Sequence, residues 1–97
     1  MSEVGLVRFD LVLVEWVDSH SGRGWENLDN LKANCDLLYC RSVGWLVAKN
    51  RDAVTLVSNL SGESNDNVIV NGNGYMTIPA RAVRKVTVLR KGGGRYR

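Results

Sequence analysis

"SVGWLVAKNRDAVTLVSNL", residues 42–60, contains two apolar segments separated by a short polar one. Apolar residues occupy every second position from 43 to 47, and this period of two is typical of a β-strand. The polar residues 50–52 favour a tight turn between two such strands. The sequence therefore predicts an antiparallel hairpin of strands Leu37–Lys49 and Ala53–Leu60.

Upstream of the hairpin, residues 7–17 predict a first strand that is buried on both faces near its middle. Its apolar face is predicted to carry Leu11, Leu13 and Val17. After a Ser-Gly-rich break, apolar residues at helical spacing predict a short amphipathic helix over Trp25–Asn34.

Downstream of the hairpin, residues 61–67 predict a polar loop, and "NGNG" at 71–74 predicts a tight turn. Short strands are expected on either side of that turn, at Val68–Val70 and Tyr75–Ile78. Pro79 should end the latter strand because it has no amide hydrogen to donate. One helical turn and a last strand, Arg84–Leu89, should follow.

These elements predict a mainly β fold, with one short helix between the first two strands and a helical turn before the last. A five-stranded sheet with an apolar face must curl or be covered, and one short helix cannot cover it. We therefore predict a small five-stranded SH3-like or Sm-like barrel. The chain has 97 residues, which suits a single domain over residues 1–89.

Residues 90–97 are predicted to form a flexible, basic, glycine-rich tail. Four of the 13 Lys and Arg residues lie there, which leaves nine basic against ten acidic residues in the rest of the chain. No apolar run has the length of a membrane span, and the start of the chain does not resemble a secretory signal. We therefore expect a cytoplasmic protein with free thiols at Cys35 and Cys40.

The segment "WVDSHSGRGW", residues 16–25, contains the only histidine and resembles a catalytic set. A nucleophilic serine needs an imidazole within about 3 Å that a carboxylate orients from its far side. Consecutive residues on an extended backbone point in alternating directions, so Asp18, Ser19 and His20 should not converge. Side chains that bond the neighbouring backbone explain them better. We expect no catalytic residue, no metal site and no cofactor.

Binding remains open for the same region, because a polar loop between tryptophans can contact a ligand. The predicted ligand- or partner-binding residues are Trp16, Asp18, Ser19, Trp25, Ser42 and Trp45. The alternative is a nucleic-acid interface in the tail, where Arg95, Tyr96 and Arg97 combine positive charge with an aromatic ring.

Three segments, "VEWVDSHSGRGWENLDNL", "CRSVGWLVAKNRDAVTLV" and "TIPARAVRKVTVL", share their order and spacing with one protein family. The chain resembles a family of small accessory proteins of tailed bacteriophages and prophages. The shared pattern is W-x-D-S, then G-W with a short helix, S-V-G-x-L and I-P before the last strand. The resemblance covers about residues 12–89, and it implies a phage accessory protein in the cytoplasm of a bacterial host cell.

Two functions follow as expectations. The first is a non-enzymatic binding protein that counters host defence by capturing a host protein or a nucleotide-like host signal. The alternative is a nucleic-acid-binding barrel in phage gene expression or replication. Small barrels also pair through exposed strands, so we expect a homo-oligomer. We expect no membrane partner.

Overall fold

The computed structural model describes residues 9–62 and 69–92, and this part of the chain is mainly β. Its five strands form one antiparallel sheet. The strands are β1 (Leu11–Asp18), β2 (Leu38–Lys49), β3 (Ala53–Gly62), β4 (Ile69–Pro79) and β5 (Val83–Arg90). One helix, α1 (Leu28–Ala33), lies between β1 and β2, and a 3-10 turn (Ala80–Ala82) connects β4 to β5. The mainly β prediction and the positions of both helical elements are confirmed.

The sheet has the order β4-β3-β2-β1-β5, so β4 and β5 are its edges. Over the described residues, no hydrogen-bonded pairing joins these two edges, and the predicted closure into a barrel is not observed. The sheet is nevertheless curled, because the Ser42 hydroxyl on β2 lies 3.7 Å from the Met76 sulfur on β4. The curl thus brings β2 and β4 into contact across the concave face, whereas the two edges, β4 and β5, are not paired with each other in the described chain.

The curl depends on β2, which changes its partner part-way along its length. β2 pairs with β1 over residues 38–45 and with β3 from Trp45 to Lys49. Gly44 lies at this change and is buried. A Cβ atom there would lie 2.8 Å from the backbone oxygen of Val57, so the absence of a side chain lets β3 cross closely over β2.

The core lies on the concave face of the sheet. The buried residues that form it are Val12, Val14, Val54, Leu56 and Ile78, with Trp16, Leu46, Ala82, Val83 and Val86 packed around them. In β1 this face is opposite to the predicted one, since Leu11, Leu13 and Val17 are only half-buried. The prediction of the face is wrong because both faces of β1 are apolar, and alternation alone does not say which face meets the rest of the sheet.

The first hairpin turn agrees with the prediction. The Asn50 side-chain oxygen accepts hydrogen bonds from the backbone amides of Asp52 and Ala53, at 2.8 and 2.9 Å. The predicted turn at residues 71–74 is wrong, because β4 runs through it and Asn73 pairs with Asn59 of β3. Gly74 adopts a φ of 71°, so the glycine serves a distortion within the strand. Most of the predicted loop at 61–67 lies outside the described residues.

α1 is shorter than predicted, and Asn27 caps its start. The Asn27 side-chain oxygen accepts hydrogen bonds from the backbone amides of Asp29 and Asn30. Asn is a favourable N-cap because it satisfies amides that have no partner within the helix. α1 has no buried residue. Among residues 9–62 and 69–92, no helix has the length and apolar character needed to cross a membrane.

Candidate ligand-binding site

A row of charged side chains crosses the convex face of the sheet at one end. Glu15 of β1 is in register with Arg41 of β2 on one side and with Lys85 of β5 on the other. Residues directly opposite each other on neighbouring strands point to the same face. The Arg41 Nε atom donates a hydrogen bond to Glu15 Oε1 at 3.3 Å, so these two members of the row form an ion pair.

A bulge in β5 adds a further cation beside this row. Glu15 pairs with Lys85 whereas Trp16 pairs with Val83, so Arg84 is an extra residue without a partner in β1. Bulges redirect side chains at sheet edges. The guanidinium carbon of Arg84 lies 5.9 Å from the ring centroid of Tyr39, within the range of a cation–π interaction.

These side chains surround a cavity of about 320 Å³, which we call the basic pocket. It is lined by Glu15, Trp16, Tyr39, Cys40, Arg41, Arg84 and Lys85. Three cations face one carboxylate, so the lining has a net positive charge. Tyr39 is 67% exposed, and its ring therefore remains accessible to a ligand.

The basic pocket has the chemistry of a site for a ligand that carries both an anionic group and a flat ring. Arginine presents a rigid fork of donors that matches phosphate or carboxylate oxygens, and lysine adds a compact charge. An exposed tyrosine ring offers a flat surface for stacking. The volume lies at the small end of the range for small-molecule sites, about 300–1,000 Å³.

Of the residues predicted from sequence, the structure brings Trp16 and Ser42 together. The Trp16 indole N–H donates to the Ser42 hydroxyl at 3.0 Å. Trp16 packs against the core and also lines the basic pocket, so it connects the two. Ser42 lies on the concave face and does not line the pocket.

The other predicted side chains are dispersed. Asp18 accepts a hydrogen bond from the backbone amide of Ser19 at 2.8 Å, and His20 Nε2 lies 2.9 Å from the backbone oxygen of Asp36. The Asp18 bond is to the neighbouring backbone, as the loop interpretation predicts, whereas the His20 bond reaches a residue 16 positions away, which the sequence did not predict. Trp25 is fully exposed, and Trp45 is half-buried in β2 opposite Leu11 and Val57. Arg95, Tyr96 and Arg97 lie outside the described residues.

Metal-ligating side chains are not grouped within the part of the chain that the structure describes. Among the described residues, no three His, Cys, Asp or Glu side chains form a cluster that could hold a metal ion. Cys35 and Cys40 are both free thiols, as predicted, and Cys40 lies at the basic pocket.

Comparison of the chain with models of known protein families, with curated proteins and with solved structures finds no match. The residues of the basic pocket are therefore the feature that indicates a function.

The pocket residues that the sequence interpretation missed are Glu15, Tyr39, Arg41, Arg84 and Lys85. A partial signal is present, since adjacent cations at Arg84 and Lys85 interrupt the alternation of the last strand. The register that brings them beside Tyr39 belongs to the sheet and is not visible in any one segment.

The contact between Trp16 and Ser42 gives a prediction about stability. Ser42→Ala removes the acceptor of the indole N–H in a half-buried place, and we expect it to lower the free energy of unfolding by about 1–2 kcal/mol. Urea unfolding followed by tryptophan fluorescence measures this change. Ser61→Ala is the matched control, because Ser61 is exposed at the end of β3. Equal stability of the two variants would contradict the prediction.

Proposed function

We propose that this protein is a non-enzymatic binding module that captures a small, anionic, nucleotide-like ligand in the basic pocket. The observation that carries the proposal is that Arg41, Arg84 and Lys85 line one pocket together with the exposed Tyr39, whose ring centroid lies 5.9 Å from the Arg84 guanidinium carbon. The ligand would place its phosphate oxygens against the cations and its base against the ring. Base–aromatic stacking contributes about 1–3 kcal/mol.

The small size of the pocket favours a small molecule over a host protein as the ligand. A stable interface between two proteins buries about 800 Å² on each partner, far more than a cavity of this size offers. The two cation-bearing strands, β2 and β5, are both paired to β1. The cations are therefore carried by a rigid sheet, and little ordering is needed when a ligand binds.

Capture without turnover agrees with the groups around the pocket. The lone imidazole of His20 is engaged with the backbone oxygen of Asp36 and does not line the pocket. The pocket contains the Cys40 thiol, and no histidine lines it to activate that thiol. A protein that only binds must be made in excess of its ligand, which suits a small chain expressed at high copy number.

The biological setting of this proposal comes from the resemblance to phage accessory proteins. In the cytoplasm of an infected bacterium, a nucleotide-like signal released by a host defence would be bound and so kept from its receptor. Its free concentration falls only when the protein is in molar excess and binds more tightly than that receptor.

Isothermal titration calorimetry of the full chain against ADP, ATP, ADP-ribose and cyclic di-AMP tests the proposal. We expect at least one of these compounds to bind, and Arg84→Gln to weaken that binding by about 10- to 100-fold through the loss of a charge-assisted hydrogen bond. Tyr39→Leu should weaken it by about 10-fold. Glu15→Gln should strengthen it, because it removes the carboxylate that competes for Arg41.

Arg51→Gln is the matched control for charge. Arg51 lies in the β2–β3 turn with a side chain that is 93% exposed, so its loss should leave the affinity unchanged. An equal loss of affinity in Arg51→Gln and Arg84→Gln would mean that net charge, and not the basic pocket, holds the ligand. Native mass spectrometry of protein purified from infected cells would report a retained small molecule directly.

The same samples separate the competing functions. Binding to oligonucleotides that weakens steeply with salt and disappears when residues 91–97 are deleted would favour the nucleic-acid alternative. Recovery of a chemically altered nucleotide after incubation would show turnover. Loss of that turnover in His20→Ala would favour a hydrolase that uses His20. Unchanged nucleotide is the result that the proposal requires.

A further inference from the structure

The connection between β1 and β2, residues 19–37, which we call the arm, contains α1 although none of its side chains is buried. Its helix is capped by Asn27 at the start and closed by the Asn34 amide, which donates to the Asn30 oxygen at 3.0 Å. His20 and Asp36 join the two ends of the arm at 2.9 Å. The arm is thus ordered by hydrogen bonds rather than by a core of its own.

The arm exposes an apolar stripe. Trp25, Leu28 and Leu31 recur at intervals of three residues, and each is more than half exposed. Large apolar side chains grouped in this way on a pre-ordered element mark a docking surface. The stripe is accompanied by an excess of negative charge, since the arm carries three carboxylates and two cations.

The described part of the chain contains a surface of matching character at the outer edge of β5. Val88 and Leu89 are each about half exposed there, and within residues 9–62 and 69–92 this edge pairs with no other strand. Leu89 is an unpartnered bulge residue, because Leu11 pairs with Arg90 and Val12 with Val88. Arg90 is the charged residue of β5 at this end, and its charge is opposite in sign to the net charge of the arm.

From this complementarity we infer that the protein self-associates, with the arm of one copy docked on the β5 edge of a second copy. Trp25, Leu28 and Leu31 of the first copy cover Val88 and Leu89 of the second. Glu26 of the arm then lies near Arg90, where opposite charges fix the orientation. The basic pocket is at the other end of β5, around Arg84, so this docking leaves the pocket open.

This inference is independent of the proposed ligand, because it concerns surfaces that do not line the basic pocket. A small domain with few fully buried residues gains stability by covering exposed apolar side chains. A second copy is the partner that the observations favour, since both complementary surfaces are present on every chain.

Sedimentation velocity of the full chain over a range of concentrations tests the inference. We expect reversible association, and the double variant Trp25→Ser with Leu28→Ser should raise the dissociation constant at least about 10-fold. Both residues are exposed, so the circular dichroism spectrum of the variant should match that of the unaltered protein. A monomer at every concentration, or association that the double variant does not change, overturns the inference.

Two further variants identify the docking partner. Val88→Ser with Leu89→Ser should weaken association as strongly as the arm variant does. A mixture of the arm variant and the β5 variant should form pairs again, because each supplies the surface that the other lacks. If the β5 variant alone still associates, arms pack on arms and the inference is wrong. A mixture that stays monomeric also overturns it.

The charge contact has its own test. Arg90→Glu should weaken association by about 3- to 10-fold, and the addition of Glu26→Arg to the same chain should restore most of it. Association that is insensitive to both changes would contradict the proposed orientation. A salt titration of the restored pair should give the same slope as the unaltered protein.

Discussion

Ile78→Ala is expected to lower the free energy of unfolding by about 3–4 kcal/mol. Ile78 is 1% exposed and is among the largest fully buried side chains of the described chain. It projects from β4 onto the core residues Val12, Val14, Val54 and Leu56. Removing three methyl or methylene groups from this position loses their transfer free energy and leaves a cavity that a rigid sheet fills poorly.

The effect is large relative to the whole stability of such a domain, which is about 5–15 kcal/mol. Urea unfolding at one fixed protein concentration measures it, and the fixed concentration matters because self-association would add to stability. Leu37→Ala is the control, since it removes a similar volume from an exposed position. A loss in Ile78→Ala no greater than the loss in Leu37→Ala would mean that β4 does not contribute to the core as described.

Gly44→Ala is expected to lower the free energy of unfolding by about 2–3 kcal/mol, although alanine normally suits a strand better than glycine. The added Cβ would meet the Val57 backbone oxygen at 2.8 Å and the Leu56 Cβ at 3.2 Å. The obstacle is backbone, which cannot rotate away as a side chain can. β2 and β3 must therefore move apart at the point where β2 changes partner.

Gly22→Ala is the matched control for this substitution. No atom lies within 4 Å of a Cβ built at Gly22, so we expect a change of no more than about 0.5 kcal/mol, with a slight gain from the lower entropy of the unfolded chain. Thermal and urea unfolding of both variants provide the measurement. If Gly44→Ala is as stable as Gly22→Ala, the close crossing of β2 and β3 is not required for the fold.

Much of the secondary structure follows from local sequence. The β2–β3 hairpin is predicted because two apolar segments of strand length lie on either side of a short polar one, and Asn50 provides the turn with its own side-chain acceptor. Pro79 ends β4 because proline has no amide hydrogen to donate, which is a property of that residue alone. In contrast, asparagine and glycine at residues 71–74 are compatible with a turn and with an irregular strand, and only pairing with β3 distinguishes the two.

The candidate site was largely beyond prediction. Trp16 is common to the predicted set and to the basic pocket, whereas the pocket also combines Tyr39 and Arg41 of β2 with Arg84 of β5, a strand far away in the sequence. Arg84 reaches Tyr39 because a bulge next to Glu15 shifts the register by one residue. A shift of this kind depends on how two strands fit together, and the adjacent cations Arg84 and Lys85 are only a partial sign of it in the sequence.

The sequence by itself determined the mainly β fold class. The alternation of apolar residues, the hairpin turn and the proline each act over a few neighbouring residues. It also determined that Asp18, Ser19 and His20 do not converge, since neighbouring side chains on an extended chain diverge, and the Asp18 and His20 side chains bond to backbone atoms instead. The tertiary structure alone decided which face of β1 forms the core, whether the sheet closes, and where cations gather. Those outcomes depend on strand register and on one close crossing at Gly44, which are set by contacts between distant segments.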